Sequence, residues 1–367
     1  MKLSVTRDSL HTGMGAVSAT IPSKTTLPVL SNILLEARDG KLTLSGTDLD
    51  ISVSVSIEAE VETEGSVTVP AKKFAEIARE LPAAPVHITA DGVEIRIESG
   101  KSRFKLFGLP TEEFPTFPEV DSGDSWTMQA SDLHELISKT SFAVSNEESR
   151  PILNGVLWQL GDGTASMVAT NGHRLARLTV PLEGGGAPDA SLIVPPKALQ
   201  QVARLFEKEG EIAVARSKNH LAFRTSLRSV YTRLIEGPYP NYEQVIPTDN
   251  DKKATANKDN LAAAIRRMAV VASDQTHRVR MSFSEGTLSF RVQTPDLGEA
   301  EEEMQVDYGG ESLEIGFNAN YLLEVLRYMP GDDVLVEFKA PERAATFRPA
   351  GGELDYLCLV MPLRLLD

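Results

Sequence analysis

A helical segment occurs three times in this chain, at residues 69–79, 194–204 and 316–327. Each copy ends in an arginine, and aligning the three arginines superposes the apolar positions of the copies without gaps. Proline near the start of the first two copies, and apolar residues three apart on one face, predict an α-helix in each. A chain with one segment in three regularly spaced copies is predicted to be a repeat protein.

The whole length follows the same repeat. A chain of 367 residues divided in three gives units of the commonest domain size, each large enough to bury a core. Proline-rich or acidic connectors near residues 114–123 and 246–251 separate the units. The predicted domains are therefore residues 1–122, 123–249 and 250–367.

The pattern of elements is also shared by the three units. Each is predicted to open with a helix and to continue with two antiparallel strands joined by a turn that contains glycine. The repeated helix and further strands then follow, which predicts an α+β fold of two helices and antiparallel sheet in each unit. The predicted first helices span 7–19, 131–143 and 258–272, the first extended runs 27–36, 150–159 and 278–283, and the second strands 41–45, 165–169 and 287–292.

Composition limits the classes of function. The net charge of −15 argues against a protein that coats nucleic acid with its whole surface, since phosphate binding needs clustered Lys and Arg. A basic lining inside an acidic shell stays compatible with it. No run of eighteen apolar residues and no signal-peptide core occur, so a cytoplasmic protein without membrane partners is expected. A single cysteine, Cys358, excludes a disulfide within one chain and is predicted to be a buried packing residue.

Residues for catalysis are hard to find. The six histidines have no metal-ligand spacing, and no phosphate-binding loop of the Gly-x-x-x-x-Gly-Lys type occurs. The sequence therefore predicts no catalytic residues, metal or cofactor. One alternative is an internally repeated enzyme in which His173 and Arg174 act as acid or anion-binding groups, which requires a carboxylate or nucleophile as their partner.

Two segments depart from the repeat. Thr170-Asn-Gly-His-Arg-Leu-Ala176 replaces Thr47-Asp-Leu-Asp-Ile51 of the first unit and a shorter run of the third. The terminal Cys358-Leu-Val-Met-Pro-Leu-Arg-Leu365 carries apolar residues beyond the expected end of a strand. Methionine is common on surfaces that accept varied apolar partners. Both segments are candidates for a site that one unit alone hosts.

These segments resemble the bacterial DNA polymerase III beta subunit family, the sliding clamps. Thr170-Asn-Gly-His-Arg-Leu-Ala176, Leu153-Asn-Gly155 and Val360-Met-Pro-Leu-Arg-Leu365 match the motifs of that family, and the resemblance covers essentially the whole chain. Two departures occur: Gln244 stands where many clamps carry Arg, and Leu366-Asp367 extend past the usual end. The resemblance implies three clamp-type domains per chain and a head-to-tail homodimeric ring around duplex DNA.

Helix dimensions are consistent with two chains rather than one. Six helices spaced about 10 Å apart line a circle of about 60 Å, which leaves a bore of about 9 Å after the helix radius is subtracted. The groove depths of duplex DNA alone add to about 16 Å. Twelve helices give a bore of about 28 Å, which admits a duplex and a layer of water.

Basic residues recur at one phase of the repeated helices and are predicted to face this bore. A solvated helix face is the ordinary explanation for one such stripe, but three in an acidic protein favour DNA contact. Phosphate contacts permit sliding without sequence preference. The predicted DNA-facing residues are Lys72, Arg79, Lys197 and Arg204, together with Lys24 and Arg150, which the resemblance implies.

Head-to-tail closure needs unlike surfaces at the two ends of the chain. The first unit ends in a run of positive charges, whereas the third carries a run of glutamates. Ordinary solvated strands are the alternative. The predicted dimer-interface residues are Lys73, Ile77, Lys101, Arg103, Phe104 and Leu106 on one side, and Val270, Val271, Glu299, Glu301 and Glu302 on the other.

The resemblance also implies a pocket that binds short peptides of the replicative polymerase alpha subunit, the clamp loader, translesion polymerases and repair proteins. A satisfied turn histidine and a tail packed on its own domain are the structural alternatives. A second functional alternative is a non-enzymatic peptide-binding scaffold that never encircles DNA. The predicted pocket residues are Leu153, Thr170, Gly172, His173, Arg174, Leu175, Pro240, Val245, Val360, Met361, Pro362, Leu363 and Arg364.

Overall fold

Six α-helices, two in each repeat, are present in the part of the chain that the structure describes. The computed structural model describes residues 1–120, 124–182, 187–295, 297–352 and 354–365. The predicted boundary at 122 and 123 and the extension Leu366-Asp367 therefore lie outside the described residues. The helices are α1 (Arg7–Ser18), α2 (Ala71–Glu80), α3 (Ala130–Thr140), α4 (Pro196–Leu205), α5 (Lys258–Ala269) and α6 (Ala319–Tyr328).

Local side-chain caps explain several helix starts. The Thr6 hydroxyl accepts the amide of Ser9 at 3.1 Å ahead of α1. The Asn257 side chain accepts the amide of Asn260 at 3.1 Å ahead of α5. Each cap satisfies one of the amides that a first helical turn leaves without a partner. These caps agree with the predicted starts of the two helices.

Four antiparallel sheets form the rest of the described fold. A five-stranded sheet has the order β5-β1-β7-β8-β9, two eight-stranded sheets have the orders β10-β15-β16-β17-β4-β3-β2-β6 and β14-β11-β12-β13-β25-β24-β23-β18, and a four-stranded sheet has the order β21-β20-β19-β22. The strands of the first repeat are β1 (Lys2–Val5), β2 (Asn32–Arg38), β3 (Lys41–Thr47), β4 (Ile51–Glu58), β5 (Glu60–Thr63), β6 (Gly65–Pro70), β7 (Val86–Asp91), β8 (Glu94–Ser99) and β9 (Ser102–Phe107). Those of the second are β10 (Ser125–Gln129), β11 (Val156–Gly161), β12 (Thr164–Thr170), β13 (Arg174–Pro181), β14 (Ala190–Val194), β15 (Glu211–Arg216), β16 (His220–Arg224) and β17 (Arg228–Arg233). Those of the third are β18 (Lys252–Asn257), β19 (Arg278–Ser284), β20 (Thr287–Thr294), β21 (Gly298–Gln305), β22 (Leu313–Asn318), β23 (Asp333–Phe338), β24 (Ala345–Pro349) and β25 (Asp355–Val360).

Each eight-stranded sheet is shared by two repeats. In one, β17 of the second repeat pairs with β4 of the first. In the other, β25 of the third repeat pairs with β13 of the second. The last strand of a repeat therefore joins the sheet of the repeat before it.

Packing divides the chain into two compact units. The first consists mainly of Met1–Ser131 and Lys197–Leu234, and the second mainly of Asp132–Gly185 and Ile235–Asp367. Each unit contains one complete eight-stranded sheet, so the second repeat contributes to both. The three predicted domains are units of sequence repetition, and their boundaries stay a prediction.

The prediction of the first extended run was wrong in part for the first and second repeats. A short 3-10 helix precedes the strand in both, at Pro28–Ser31 and at Pro151–Asn154. Each begins with proline, whose fixed φ suits a helical first turn and which has no amide to donate. The third run, which lacks this proline, is a strand from Arg278 as predicted.

The core lies between the helices and the sheets. Phe74 of α2, Leu322 of α6 and Phe223 of β16 are fully buried. Cys358 is also fully buried, as predicted, and burial raises the pKa of its thiol to about 12. No helix within the described ranges is long and apolar enough to span a membrane.

Candidate functional site

The turn between β12 and β13 is held by its own side chains. The Asn171 carboxamide oxygen accepts the amides of His173 at 2.9 Å and Arg174 at 3.0 Å. The Thr170 hydroxyl accepts the amide of Gly172 at 3.0 Å. Gly172 has φ of 88°, and a Cβ there would lie 3.1 Å from Nη1 of Arg150. Glycine therefore provides both the left-handed backbone and the close approach of Arg150.

The first repeat contains the same turn, although the sequence indicated a departure. Asp48 accepts the amides of Asp50 at 3.2 Å and Ile51 at 2.8 Å, and Thr47 accepts the amide of Leu49 at 3.0 Å. Leu49 has φ of 80°. Because this backbone region is strained for a residue with a Cβ, the turn is imposed by the two capping side chains. The two copies differ in side chains and share their backbone.

The terminal segment continues from β25 and lies against this turn. Val360 pairs with Arg174, and the Met361 amide donates to the His173 carbonyl at 2.8 Å. The Leu363 amide then donates to the Gly316 carbonyl of β22 at 2.8 Å. A Cβ on Gly316 would lie 2.9 Å from the Leu363 carbonyl oxygen, so glycine permits this close approach. The tail is thus hydrogen-bonded to two different sheets.

The predicted pocket residues include exposed side chains, here called the rim, and buried ones, of which Leu175 belongs to an apolar cluster here called the floor. Met361 is 38% exposed and Val245 is 53% exposed, whereas Leu153, Leu175 and Val360 are at most 7% exposed. Gly172, His173, Pro240 and Arg364 are also exposed, and Thr170, Pro362 and Leu363 are half-buried. The floor is an apolar cluster of Leu157, Val168, Leu175, Ile193, Tyr242, Ala344 and Leu359, against which Ile152, Ile235, Tyr239 and Ile246 pack.

The connector between the second and third repeats is fixed to this floor by a residue that the sequence prediction did not assign to the site. The buried Tyr242 hydroxyl donates to Oε1 of Gln159 at 2.7 Å. Tyr242 begins the short 3-10 helix Tyr242–Val245, which therefore holds Val245 at the rim. Gln244 lies in the same helix and is exposed. Tyr242 lies between Pro240 and Val245, two residues that the sequence prediction did assign to the site.

Arg174 supports the site from below. The residue is 7% exposed, and its guanidinium is ion-paired with Glu324 of α6 and donates from Nη2 to the Phe142 carbonyl at 2.6 Å. It lies 4.8 Å from the ring centroid of Tyr321 and 5.5 Å from that of Phe142. Burial lowers the pKa of Arg174, but an arginine stays charged in a protein. Cation–π contacts and the ion pair offset its desolvation.

Aromatic rings extend this arrangement on both sides of Arg174. The His173 ring stacks on Tyr321 at 6.3 Å, and Phe142 stacks on Tyr328 at 4.6 Å. The turn is thereby connected to α6 through a continuous stack. Tyr321 was missed by the sequence prediction, although the other two helix copies carry Lys73 and Ala198 at its position.

Removing the charge of Glu324 is expected to destabilise the protein more than removing Arg174. Glu324→Gln leaves a buried guanidinium without its counter-ion, which typically costs about 3 kcal/mol or more. Arg174→Met removes the buried charge, and the remaining carboxylate is 43% exposed and can be hydrated. Urea unfolding of both variants measures the two free energies, and a larger loss in Arg174→Met would contradict this account.

The predicted DNA-facing residues are exposed, but several have other contacts. Lys24 lies in a loop after α1, and Lys72 and Arg79 lie on α2. Arg79 pairs with Glu80 at 2.9 Å, and Arg150 pairs with Glu147. Such exposed pairs contribute little and leave the guanidinium accessible.

Lys197 and Arg204 of α4 are also bound to the first repeat. Nζ of Lys197 lies 2.5 Å from Oδ2 of Asp48. Arg204 donates from Nη1 to the Gly15 carbonyl at 2.8 Å and from Nη2 to the Ala16 carbonyl at 2.5 Å. Burial lowers the pKa of Arg204. These contacts satisfy carbonyls in the last turn of α1, so Arg204 has a structural role that the sequence did not reveal.

A side-chain hydrogen bond also joins α3 to α6, with the donor on the first helix. Nζ of Lys139 donates to the Tyr328 carbonyl at the end of α6 at 2.6 Å. In the first and third repeats, the two helices also pack on each other, α1 on α2 and α5 on α6. The first helix of one repeat thus meets the second helix of the next repeat at both internal junctions.

Eight strands have a partner strand on one side only among the described residues, and β9 and β21 are two of them. β9 pairs with β8, and β21 pairs with β20. On β9, Phe104 is 37% exposed, Leu106 is half-buried, and Arg103 is 82% exposed. At the other candidate surface, Val270, which directly follows α5, is 77% exposed. Lys73, Lys101 and Glu299 are also exposed, and Ile77 and Val271 are half-buried.

The glutamates of β21 point to opposite faces of the strand. Glu301 pairs with Arg291 at 3.1 Å, whereas Glu302 pairs with Arg267 of α5. The hydrogen bond from Arg267 lowers the pKa of the Glu302 carboxyl. Glu302 is therefore already neutralised on the helix side, a contact that sequence reasoning missed because α5 and β21 are far apart in the chain.

Within the described residues, no group of three or more His, Cys, Asp or Glu could hold a metal ion.

Known protein families match each of the three repeats. Family models match residues 1–118 as "DNA polymerase III beta subunit, N-terminal domain", 127–241 as its central domain and 243–364 as its C-terminal domain.

Relatives of the same length are similar over their whole chains. The beta sliding clamp of Pseudomonas aeruginosa is 34% identical over 368 residues, and that of Salmonella typhimurium is 33% identical over 368 residues, each with 100% of both chains covered. A crystal structure of the P. aeruginosa sliding clamp bound to griselimycin has a TM-score of 0.96 at 33% identity. The clamp of Bacillus subtilis has a TM-score of 0.95 at 28% identity, and both structures cover 100% of each chain.

Proposed function

The chain belongs to the DNA polymerase III beta subunit family, the bacterial sliding clamps, and we propose that two copies close head to tail into a ring around duplex DNA. As a sliding clamp it is a processivity factor for DNA polymerase. This identity favours the clamp over a scaffold that does not encircle DNA. The proposal adds the assembly, the surfaces that carry it, and a protein that tethers enzymes without catalysing a reaction itself.

The observation that carries the proposal is that one strand-to-strand junction forms twice inside the chain, while the two strands that would form it a third time have no partner there. The last strand of the second and third repeats pairs with the preceding repeat, through β17–β4 and β25–β13. β9, the last strand of the first repeat, lacks such a partner among the described residues. β21, which has the place of β4 and β13 in the third repeat, lacks one as well. A second copy of the chain supplies both partners, which is a heterologous contact that closes a ring.

The internal junctions also predict how β9 meets β21. We transfer the two internal registers to β9 and β21 by aligning the hairpin turns of the repeats. The register of β17–β4 then places Arg103 opposite Glu301, and the register of β25–β13 places Arg103 opposite Glu303. Both registers set Arg103 against a carboxylate. Phe104 then faces the helix side of the interface, opposite Ala300 or Glu302. Charge therefore lies outside in both registers, and Phe104 meets an apolar residue inside in the first.

Helix contacts support the same assembly. Inside the chain, the first helix of one repeat meets the second helix of the next repeat, as α1 meets α4 and α3 meets α6. The same rule applied between two copies brings α5 of one copy to α2 of the other. The exposed Val270 and the half-buried Val271 follow α5, and Ile77 lies on α2. These three residues form the apolar centre of the proposed interface, with Lys73 at its margin.

The DNA-facing surface of the proposed ring is formed by the basic helix faces. Lys72 and Arg79 are exposed on one side of α2, and Lys197 is exposed on α4. Lys24 and Arg150 extend this surface from loops. Arg204 contributes mainly by tying α4 to α1, because both of its terminal nitrogens donate to carbonyls of α1.

The test compares retention on circular and linearised DNA after loading. The wild-type ring is expected to stay on circular DNA and to slide off free ends. Lys72→Glu with Arg79→Glu is expected to weaken DNA association while dimerisation and folding stay unchanged. Loss of two phosphate contacts reduces the slope of log affinity against log salt by about 1.8.

Arg38→Glu with Lys41→Glu changes the same number of charges at a strand end away from α2, and serves as the control. An unchanged salt slope in the α2 variant would remove Lys72 and Arg79 from the lining. Equal loss of the wild-type protein from circular and linear DNA would contradict the ring itself.

The rim and floor around Met361 and His173 are proposed to bind partner peptides. A buried apolar floor with a few exposed apolar side chains at its rim suits a short segment with apolar anchors. The proposed partners are the polymerase alpha subunit, the clamp loader, translesion polymerases and repair proteins. The proposed location is the bacterial cytoplasm, where replicating DNA and these partners are found.

A further inference from the structure

Three arginines line a groove at the end of the four-stranded sheet. Its volume is about 930 Å³, and its lining includes Arg278, Arg280 and Arg291 together with Leu297 and Glu299. Arg280 on β19 lies directly opposite Arg291 on β20, and Arg278 shares their face because it is two residues from Arg280. Three positive charges against one negative charge in the lining are notable in a protein of net charge −15.

Internal ion pairs leave part of each guanidinium free. Arg280 pairs with Glu314 at 2.7 Å, and Arg291 pairs with Glu301 at 3.1 Å and with Glu299 at 3.9 Å. A guanidinium has five N–H donors, so these contacts leave donors of each side chain free. Like charges directly opposite each other in a sheet are unfavourable, and a further anion between Arg280 and Arg291 relieves this repulsion. The groove is therefore suited to carboxylates.

A hydrogen bond connects the groove to the tail that forms part of the pocket rim. Nη1 of Arg278 donates to the Arg364 carbonyl at 2.8 Å. Three residues earlier, Met361 is bonded to His173, and Leu363 is bonded to Gly316 of the same sheet. A polypeptide anchored at the pocket rim thus reaches the arginines by following the tail.

We propose that this groove binds an acidic segment that flanks the apolar anchor of a partner peptide. The inference rests on the proposed peptide-binding function of the rim and floor, and adds a second contact that selects partners by charge. In the proposed ring, Glu301 faces basic residues of the other copy, which leaves Arg291 more available for the partner's carboxylates.

The test uses a polymerase-derived peptide that binds the pocket, synthesised with four added Asp, Ser or Lys residues. Fluorescence anisotropy measures the affinity of each for the full-length dimer. The Asp peptide is expected to bind about tenfold more tightly than the Ser peptide at low salt, because exposed charge pairs each contribute modestly. The gain should decline as salt rises.

Variants assign the gain to the groove. Arg280→Gln with Arg291→Glu should remove the advantage of the Asp peptide and leave the Ser peptide unchanged, because it keeps Arg278, the residue that holds the tail. Arg291→Glu alone should remove part of the advantage. Arg348→Glu is the matched control, since Arg348 lies in the same unit, is 36% exposed and also pairs with a glutamate.

The outcomes separate this inference from the function on which it rests. Equal binding of the Asp and Ser peptides by the wild type, or a gain that survives in the arginine variants, would overturn the groove and leave the pocket intact. Failure of all three peptides to bind would overturn both. If the arginine variants lose affinity for a short DNA duplex instead, the groove binds phosphates and the proposal is wrong.

Discussion

Deletion of Met361–Asp367 is expected to lower the affinity for a partner peptide by two or more orders of magnitude. Buried apolar anchors each contribute about 2 kcal/mol or more, and the deletion removes the rim residues Met361, Pro362 and Leu363. Folding should survive, because Asp355–Val360 keeps its pairing with both β13 and β24. The tail's hydrogen bonds to His173 and Gly316 are lost at the surface.

Calorimetry and sedimentation decide whether the shortened chain is folded and dimeric, and titration with a labelled polymerase-derived peptide measures the affinity. His173→Ala is the graded comparison, with a smaller loss expected because its ring stacks on Tyr321 at the edge of the rim. Full-strength binding by a folded, dimeric, shortened chain would place the peptide site elsewhere.

Reversing two charges at β9 should convert the dimer to monomers. Lys101→Glu with Arg103→Glu sets glutamates against the acidic strand β21, which is expected to raise the dimer dissociation constant by about a hundredfold or more. Sedimentation at micromolar concentration measures this change. Peptide binding should persist in the monomer, since the rim and floor lie within the second compact unit.

Second-site changes test the pairing itself. Glu301→Lys with Glu303→Lys should restore part of the dimer, because both side chains share the face of Arg291 and meet Arg103 in one of the two registers. Glu302 is a poorer choice than the sequence suggested, since it is paired with Arg267 on the other face. Dimers that persist in the β9 variant, with Arg38→Glu and Lys41→Glu as the charge-matched control, would refute the assigned interface.

Elements governed by neighbouring residues were predicted well from the sequence. The helices that begin at Arg7 and Lys258 start where predicted, because their caps lie within four residues. Helix ends were placed less well, since α5 ends at Ala269 rather than at residue 272 and α3 gives way to a 3-10 turn after Thr140. Ends depend on packing against distant strands, which a local pattern does not contain.

In the candidate site, too, features set by neighbouring residues were predicted and features set by distant contacts were not. The turn at 170–174 was found because its side chains depart from the repeat. The buried position of Arg174 could not be predicted, since its partners Phe142, Tyr321 and Glu324 come from sequence-distant segments. Arg204 likewise has the predicted helix phase, yet its hydrogen bonds to α1 depend on how two repeats pack.

The sharing of sheets between repeats has a consequence for cutting the molecule into parts. The second repeat donates β17 to one eight-stranded sheet and receives β25 in the other. Excised alone, it would carry two raw strand edges, at β17 and at β13, of the kind that drives edge-to-edge aggregation. A single repeat cut from the chain is therefore expected to aggregate unless another chain covers both edges.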